Sequence, residues 1–489
     1  MDERQGRVLQ FNGLRALVVG LAREGRTLAR FLAERGAQVT VTDTQSAAAL
    51  ADSIAALEGW PIQYALGGHP LALLDGIDII FVSPGVPLEV ALLVEARRRG
   101  LPLSSETRLF ARLCPAPIVG ITGSSGKTTT TALVGEMLKA SSCKTWVGGN
   151  IGKPLLGHLD EIAATDLVVI ELSSFQLEFF APWPLGRAGS LRSELLQGSA
   201  VFDPAGCSPH IAAVLNITPN HLDRHPSMEA YVAAKAHILG YQRPGDVAVL
   251  NFDNPETRRM GQACHTQHVV WFSMENRVQE GAFLRGDELR LRLAGHEYAV
   301  CRIGEVQLLG EHNVANILAA CAASAAGGAS VEAMRQAAIT FSGVEHRLEL
   351  VHERRGVRWY NDSIATTPER TVAALRAFEA PVVLLAGGRD KHLPWEEMAA
   401  LTWKKVRHLI LFGEAAELIA TAMHDPSLES SGPCHIHQAG SLERAVELAS
   451  RLAQPGDVVL LSPGGTSFDN YQDFGKRGEH FRQLVRGLE

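Results

Sequence analysis

The sequence predicts an α/β protein of three domains, and three observations carry that prediction. Apolar, strand-like runs alternate with helical stretches along most of the chain, which is the pattern that builds parallel sheets. A length of 489 residues sets a prior of about three domains, and a hydrophobic content of 46% supplies several cores. Between two flanking sheet patterns lies residues 117–140, PIVGITGSSGKTTTTALVGEMLKA, which reads as a buried strand, a glycine-bounded loop and an amphipathic helix.

That central stretch has a specific chemistry. Ile118, Val119 and Ile121 form the strand, and Leu133, Val134, Met137 and Leu138 recur at helical spacing behind the loop. Gly123 and Gly126 let the chain turn tightly, so that backbone N–H groups across Gly123, Ser124, Ser125, Gly126, Lys127, Thr128 and Thr129 face one concavity. Such a loop cradles an anion. The helix N-terminus adds partial positive charge, Lys127 reaches the outer phosphates of a nucleotide, and the Thr128 hydroxyl is placed to ligate magnesium. Gly120 precedes Gly126 by six residues, one more than the strict Walker spacing. A glycine loop alone is more simply a turn; the strand, the Gly-Lys-Thr and the helix together give the nucleotide reading.

Composition narrows the class. A net charge of -7 gives no general attraction to nucleic acid or anionic membrane, so phosphate binding has to be local. The opening MDERQGRVLQ lacks an apolar leader, and no run of about 18 apolar residues occurs, so a cytoplasmic protein with no membrane partner is expected. Seven cysteines with no CxxC pair fit reduced thiols better than a disulfide or zinc framework.

The first domain is expected over residues 1–108, as a Rossmann-like sheet. Residues 15–22 form an apolar strand leading into Gly20-Leu21-Ala22-Arg23-Glu24-Gly25, a helix to Arg35 and a second strand ending at Asp43 and Thr44. Ala22 stands where a dinucleotide fingerprint has its second glycine, which argues against NAD, while a nucleotide diphosphate still suits the helix N-terminus beside Arg23 and Glu24. Asp43 is placed to hold a ribose or base, with an ordinary strand-end Asp as the bland alternative. A third strand, IDIIFV, ends in Ser83-Pro84-Gly85 at the same ligand-binding edge.

The central P-loop domain is expected over residues 109–343. It places Asn150 between glycines and delivers Glu171 and Ser173 at the end of a hydrophobic strand. A carboxylate there, next to a phosphate loop, is the usual magnesium ligand, against the alternative of a solvated strand-end Glu. Another buried strand ends in Asn216, His221, Asp223 and Arg224, and Lys235 lies on the following helix. An ammonium facing magnesium would be repelled, so Lys235 there must pair with phosphate or lose its charge. Residues 181–208, rich in Gly, Pro and Ser, read as a surface insertion. After DVAVLNFDNP the pattern weakens until a helix on which Asn313 and Asn316 share one face, as paired amides for adenine or as helix caps.

A Ser-Gly break before His346 and Arg347 suggests a hinge at about 344 into the last domain, residues 344–489. Its strands GVRWYND, PVVLLAGG, RHLILFG and DVVLLSPGG predict a second Rossmann-like sheet. Their ends offer Asp362, Thr366 and Thr367, then Arg389, Asp390 and Lys391, then Ser462, Thr466 and Ser467.

Taken together, GITGSSGKT, GGNIG, ELSSFQLE, NITPNHLDRH, YVAAKAHIL, LLGEHNVAN, GVEHRLE, YNDSIATT, GGRDK and LLSPGGTSFDNYQDFGKRG resemble, in order and over nearly the whole chain, the Mur ligases. Within that family the motifs are most similar to the branch that joins D-glutamate to UDP-N-acetylmuramoyl-L-alanine. The resemblance implies a domain for the UDP moiety, a central ATPase and a mobile C-terminal domain for the incoming amino acid. It implies ATP and Mg2+ at Lys127 and Thr128, magnesium held by Glu171 and His221, and a second divalent ion at a carbamylated Lys235. Asn313 and Asn316 would face adenine, and Arg347 and Asp362 the nucleotide. Arg23, Glu24, Asp43, Thr44, Gly85, Asn150 and Ser173 fall to the UDP substrate, and Thr367, Lys391, Ser467 and Phe474 to D-glutamate. His221 and Lys235 join Lys127 as expected catalytic residues, and the enzyme is expected to be a monomer. Ser125 stands where the family often has Asn, Ile364 where it often has Lys, and Ala22 in place of a common glycine. Rival readings are L-alanine addition by another Mur ligase, a folylpolyglutamate synthetase, a NAD oxidoreductase and a nucleotide-binding regulator.

Overall fold

The computed structural model describes residues 11–150, 154–182, 205–220, 224–264, 266, 268–308, 310–391, 393–424 and 434–488. Contacts divide the chain into two compact units, one of Met1–Val306 with Glu311–Thr340, the other of Gln307–Gly310 with Phe341–Glu489. The first unit holds two sheets and the second holds one, so the three expected sheets are all present.

In the first sheet the strands run in the order Ile62–Leu66, Gln38–Asp43, Arg15–Val19, Ile79–Val82 and Leu103–Ser104, all parallel. Ala16 to Val19 and Ile79 to Val82 are buried, as strands covered on both faces must be. The chain starts in the middle, builds outward one way and then the other, which opens a crevice at the carboxyl ends between Arg15–Val19 and Ile79–Val82. Ile62–Leu66 is a strand the sequence reading passed over, so the expected third strand is the fourth. It lies at the sheet edge with two exposed residues among its five, and its apolar signal is correspondingly thin.

The second sheet places Ile118–Thr122 between Ile211–Val214 and Leu167–Glu171, all parallel, with Thr145–Gly149 beyond. Register sets Thr122 opposite Val214 and Ile121 opposite Glu171, so the loops leaving these three strands start side by side. On the other side come Val247–Asn251, His268–Ser273, Gly281–Arg285, Glu288–Leu293 and His296–Arg302, the last three an antiparallel meander where the sequence pattern had weakened. The helices Glu311–Ala326 and Val331–Thr340 pack on the helix Lys127–Ala140 that follows the loop.

The third sheet runs Glu349–Arg354, Val357–Asn361, Val458–Gly464, Val382–Gly387, Val406–Phe412 and His435–Gly440. It is parallel apart from the first hairpin, and Val382 to Leu385 and Val458 to Leu461 are fully buried between helices. No helix among the described residues is long and apolar enough to cross a membrane.

Candidate active site

The phosphate loop is built as its sequence requires. Gly126 sits at φ 79° as the N-cap of Lys127–Ala140, and a Cβ there would lie 2.2 Å from Asn316 Oδ1. Gly123 has φ 158°, and its Cβ would meet Leu215 Cβ at 2.9 Å. Side chains are excluded at both, leaving a bare backbone turn that an anion can approach. The turn is braced from the end of the neighbouring strand. Ser124 N–H donates to Asn216 O and Ser125 N–H to Asn216 Oδ1, both at 2.9 Å, while Ser124 Oγ donates to Thr218 O at 3.0 Å and lies 2.9 Å from the Tyr231 hydroxyl. Lys127 Nζ folds back to donate to Gly123 O at 3.0 Å and Ser124 O at 3.3 Å. Thr129 is buried in the first helical turn.

Glu171 is a buried group, 2% exposed, which sets aside the solvated alternative. Its Oε2 accepts from Thr128 Oγ1 at 2.9 Å and its Oε1 from Asn150 Nδ2 at 3.1 Å. A hydroxyl and a carboxylate so paired are hard oxygen donors of the kind magnesium takes. Lys235 reaches the same turn from the helix Met228–Gly240, with Nζ donating to Gly123 O at 3.1 Å and Thr122 Oγ1 at 3.3 Å. Burial, then the charge of Lys127, lower its pKa to about 6, while Glu171 opposes the shift. His221 lies outside the described residues, and among those described no three His, Cys, Asp or Glu side chains gather as a metal centre. The sequence reading missed His225. It is buried, stacked on Phe175 with ring centroids 5.4 Å apart, and bonded through Nε2 to Ser174 Oγ at 2.9 Å. Its position at the end of NITPNHLDRH carries no periodic signal that separates it from His221.

Asn313 and Asn316 do share a face, with Asn316 Nδ2 donating to Asn313 Oδ1 at 3.0 Å. Asn316 is buried against the phosphate-loop helix, where its Oδ1 accepts from Thr130 Oγ1 at 3.5 Å.

At the carboxyl edge of the first sheet, Asp43 accepts from Leu21 N–H at 2.8 Å and Gln45 N–H at 2.9 Å, and Thr44 is exposed beside it. Gly85 is exposed, and its carbonyl takes Arg224 Nη1 at 3.5 Å. Arg23 donates to Asn150 O at 3.4 Å, joining this edge to the Asn150–Glu171–Thr128 chain. Ser173 caps the helix Ser174–Leu177 in a reciprocal box with Gln176, and Glu24 turns inward to accept from Gln176 Nε2 at 3.0 Å.

In the second unit the expected residues gather at the carboxyl edge of its sheet. Asp362 is buried, accepting from Ser462 Oγ at 2.8 Å and Leu348 N–H at 3.2 Å, and desolvation raises its pKa to about 7 with Arg347 among the charges that oppose it. Thr367 is the N-cap residue of Pro368–Arg376. Arg389 and Thr466 exchange backbone hydrogen bonds at 2.9 and 2.8 Å, which ties the loop of Lys391 to the loop of Ser467. Desolvation and then Arg370 lower the Lys391 pKa; Ser467 is buried, and Phe474 is 38% exposed at the start of Phe474–Arg486.

Against known proteins, the chain is 42% identical over 476 residues to the UDP-N-acetylmuramoylalanine–D-glutamate ligase of Symbiobacterium thermophilum, covering 97% of this chain and 98% of that one. The chain belongs to the Mur ligase family. Family models match in chain order: a Mur ligase MurD-like N-terminal domain at 14–105, the Mur ligase middle domain at 121–182 and 197–324, and the Mur ligase glutamate ligase domain at 346–465. Ligases of the same name from Acetivibrio thermocellus, 40% identical with 96% of each chain covered, and from a Roseiflexus species, 42% identical with 98% of this chain and 100% of that one covered, are similar throughout. The Mur ligase fold is also that of UDP-N-acetylmuramate-alanine ligase MurC from Thermotoga maritima, with a TM-score of 0.56, 18% identity and coverage of 97% and 100%. MurF from Acinetobacter baumannii gives 0.55 at 16% identity, with coverage of 96% and 94%.

Proposed function

We propose that this Mur ligase adds D-glutamate to UDP-N-acetylmuramoyl-L-alanine at the expense of ATP, as a cytoplasmic, monomeric enzyme of peptidoglycan precursor synthesis. The observation that carries the reading is end-to-end similarity to ligases of that name, at 42% identity over 97% of the chain. Residues 1–108 take the UDP moiety through Arg23, Asp43, Thr44 and Gly85, with Asn150 and Ser173 contributed by the neighbouring ATPase domain, residues 109–343, and with Glu24 taking part through the helix N-terminus it belongs to while its carboxyl turns inward. Residues 344–489 hold D-glutamate through Thr367, Lys391, Ser467 and Phe474, with Arg347 and Asp362 toward the nucleotide.

A carboxylate is a poor electrophile, so the substrate carboxylate first attacks the γ-phosphorus of ATP, ADP leaves, and an acyl phosphate forms. The amine of D-glutamate then attacks the acyl carbon, its proton passes to His221 or a neighbouring carboxylate, and phosphate leaves as the amide bond closes. The loop N–H groups and Lys127 orient the triphosphate and stabilise the charge that develops on the transferring group. Thr128 and Glu171 fit magnesium, with His221 as a further ligand; when bound, the ion would neutralise charge on the phosphate oxygens. Lys235 suits that neighbourhood once carbamylated. Its neutral amine attacks carbon dioxide, an N–C bond forms, a proton leaves, and an anionic carbamate replaces a would-be cation. Asn313 and Asn316 stand on the adenine side.

Phosphate release from ATP in the presence of UDP-N-acetylmuramoyl-L-alanine should depend on D-glutamate. Release that follows L-alanine with UDP-N-acetylmuramate instead would move the enzyme to the alanine-adding step. Lys127→Ala should lower turnover by about 10²–10³-fold, as loss of a transition-state donor does; near-normal turnover would reject the role of the loop.

A further inference from the structure

The helix Arg23–Glu34 opens at the carboxyl edge of the first sheet, where the proposed function places the UDP diphosphate. Glu24 lies in its first turn. An ionised carboxylate at that point would compete with a diphosphate for the same positive helix end. The structure folds this carboxyl away from the edge and into a buried chain of polar groups. Gln176 Nε2 donates to Glu24 Oε1 and to Thr107 Oγ1, both at 3.0 Å, and the Thr107 hydroxyl lies 3.5 Å from Glu106 Oε2. The other end of the amide, Oε1, accepts from Ser173 N–H at 2.9 Å and Ser173 Oγ at 3.0 Å. Both ends of Gln176 are therefore engaged, and neither can turn to serve the carboxyls further.

Each carboxyl keeps one buried oxygen, Glu24 Oε2 and Glu106 Oε1, with no hydrogen-bond partner. An ionised carboxylate accepts at both oxygens, and one left bare in the interior costs about 1–3 kcal/mol or more. Protonation lowers that cost, because it removes the buried charge and a neutral carboxyl is cheaper to bury than an ionised one. The surroundings point the same way. Burial raises both pKa values, the charge of Glu24 raises Glu106 further, and Arg23 is the charged side chain that opposes the shift at both. From the turn Leu155–Glu161 the Leu156 N–H favours the ionised Glu106, and Ser174–Leu177 contributes Gln176.

We propose that Glu24 is held protonated in the folded protein, that this neutral state keeps the helix end open to the substrate diphosphate, and that Glu106, at the far end of the Gln176–Thr107 chain, is its positioning residue. This rests on the UDP-substrate reading given above. The test is the KM for UDP-N-acetylmuramoyl-L-alanine and for ATP from about pH 6 to about pH 9.5, in the wild type, Glu24→Gln and Glu106→Gln. In the wild type the KM for the UDP substrate should climb at alkaline pH, by up to about tenfold per pH unit above the pair's pKa, while the KM for ATP stays level. Glu24→Gln, a permanently neutral isostere, should abolish the climb. Glu106→Gln should move it to lower pH, since it removes a buried negative charge from the far end of the chain that holds Glu24. A flat wild-type profile, or a climb that survives in Glu24→Gln, overturns the proposal, as does a change shared equally by both KM values. Infrared spectroscopy supplies a readout free of turnover: a protonated carboxyl band at neutral pH that Glu24→Gln weakens supports the neutral carboxyl, and its absence from the wild type sinks it. If the wild type turns over no D-glutamate at all, the substrate reading fails while the infrared result still decides the proton.

Discussion

Lys235 is the residue on which the chemistry presses hardest. An amine 1% exposed, held by a carbonyl and a hydroxyl, has lost most of its hydration, and its folded pKa falls to about 6. The sign follows from linkage. Between about 6 and the ordinary 10.5 the unfolded chain binds more protons at this group than the folded one, so its contribution to stability grows with pH across that window and is lost as pH falls toward 6. At neutral pH the amine is therefore free to react with carbon dioxide. Turnover should fall in buffers stripped of carbon dioxide and return with bicarbonate, while Lys235→Ala should be inactive with or without it. Equal rates in stripped and supplemented buffer would remove the carbamate from the mechanism.

The phosphate loop shows how an element transmits such constraints. Gly126 occupies the left-handed region, which costs an L-residue about 1–2 kcal/mol, and its missing side chain is also the space Asn316 fills. Gly126→Ala should lower the melting temperature by several degrees and weaken ATP binding more than that destabilisation explains, because Asn316 must shift from its place beside Thr130. Calorimetry paired with nucleotide titration checks this, and an unaltered ATP affinity would show that the loop relaxes freely. The loop was readable from sequence because glycine spacing, a buried strand and Gly-Lys-Thr are local features. Glu171 was readable for a related reason, since a parallel strand delivers its last residue to one edge, whereas Lys235 and Asn316 sit on the helices Met228–Gly240 and Glu311–Ala326 and were singled out by motif. What escaped depends on partners far along the chain. Asn216 was named as a strand-end residue, but its bracing of the loop from 91 residues away was not foreseen. Glu106 begins what reads as an ordinary Ser-capped helix, and only packing shows its carboxyl bare and buried. Ile62–Leu66 was faint because an edge strand with polar, exposed positions is short on apolar signal, and the meander over 281–302 because its one-sided strands carry charges that dilute the pattern.

At the scale of the whole molecule, the chain divides into two compact units, and the second is organised around a cation rather than an apolar centre alone. Arg477 is 0% exposed, and its guanidinium donates to Ser363 Oγ and to the carbonyls of Ser363, Gly465 and Thr466 at 2.9 to 3.2 Å. Those acceptors belong to the two loops that leave the strands Val357–Asn361 and Val458–Gly464, so one side chain fixes both Asp362's neighbourhood and Ser467's. Desolvation drags its pKa down to about 10, which still leaves it charged at neutral pH. Arg477→Met would keep much of the volume but strand several buried carbonyls, at roughly 3–5 kcal/mol in all. That loss should fall on one unit only. Hydrogen exchange followed by mass spectrometry should show protection falling across the second unit while the sheet around Ile118–Thr122 keeps its own, and nucleotide binding through the phosphate loop should weaken far less than D-glutamate-dependent turnover does. Protection lost equally from both units would mean that they unfold as a single cooperative body, and that the loops set by Arg477 report on the stability of the entire chain.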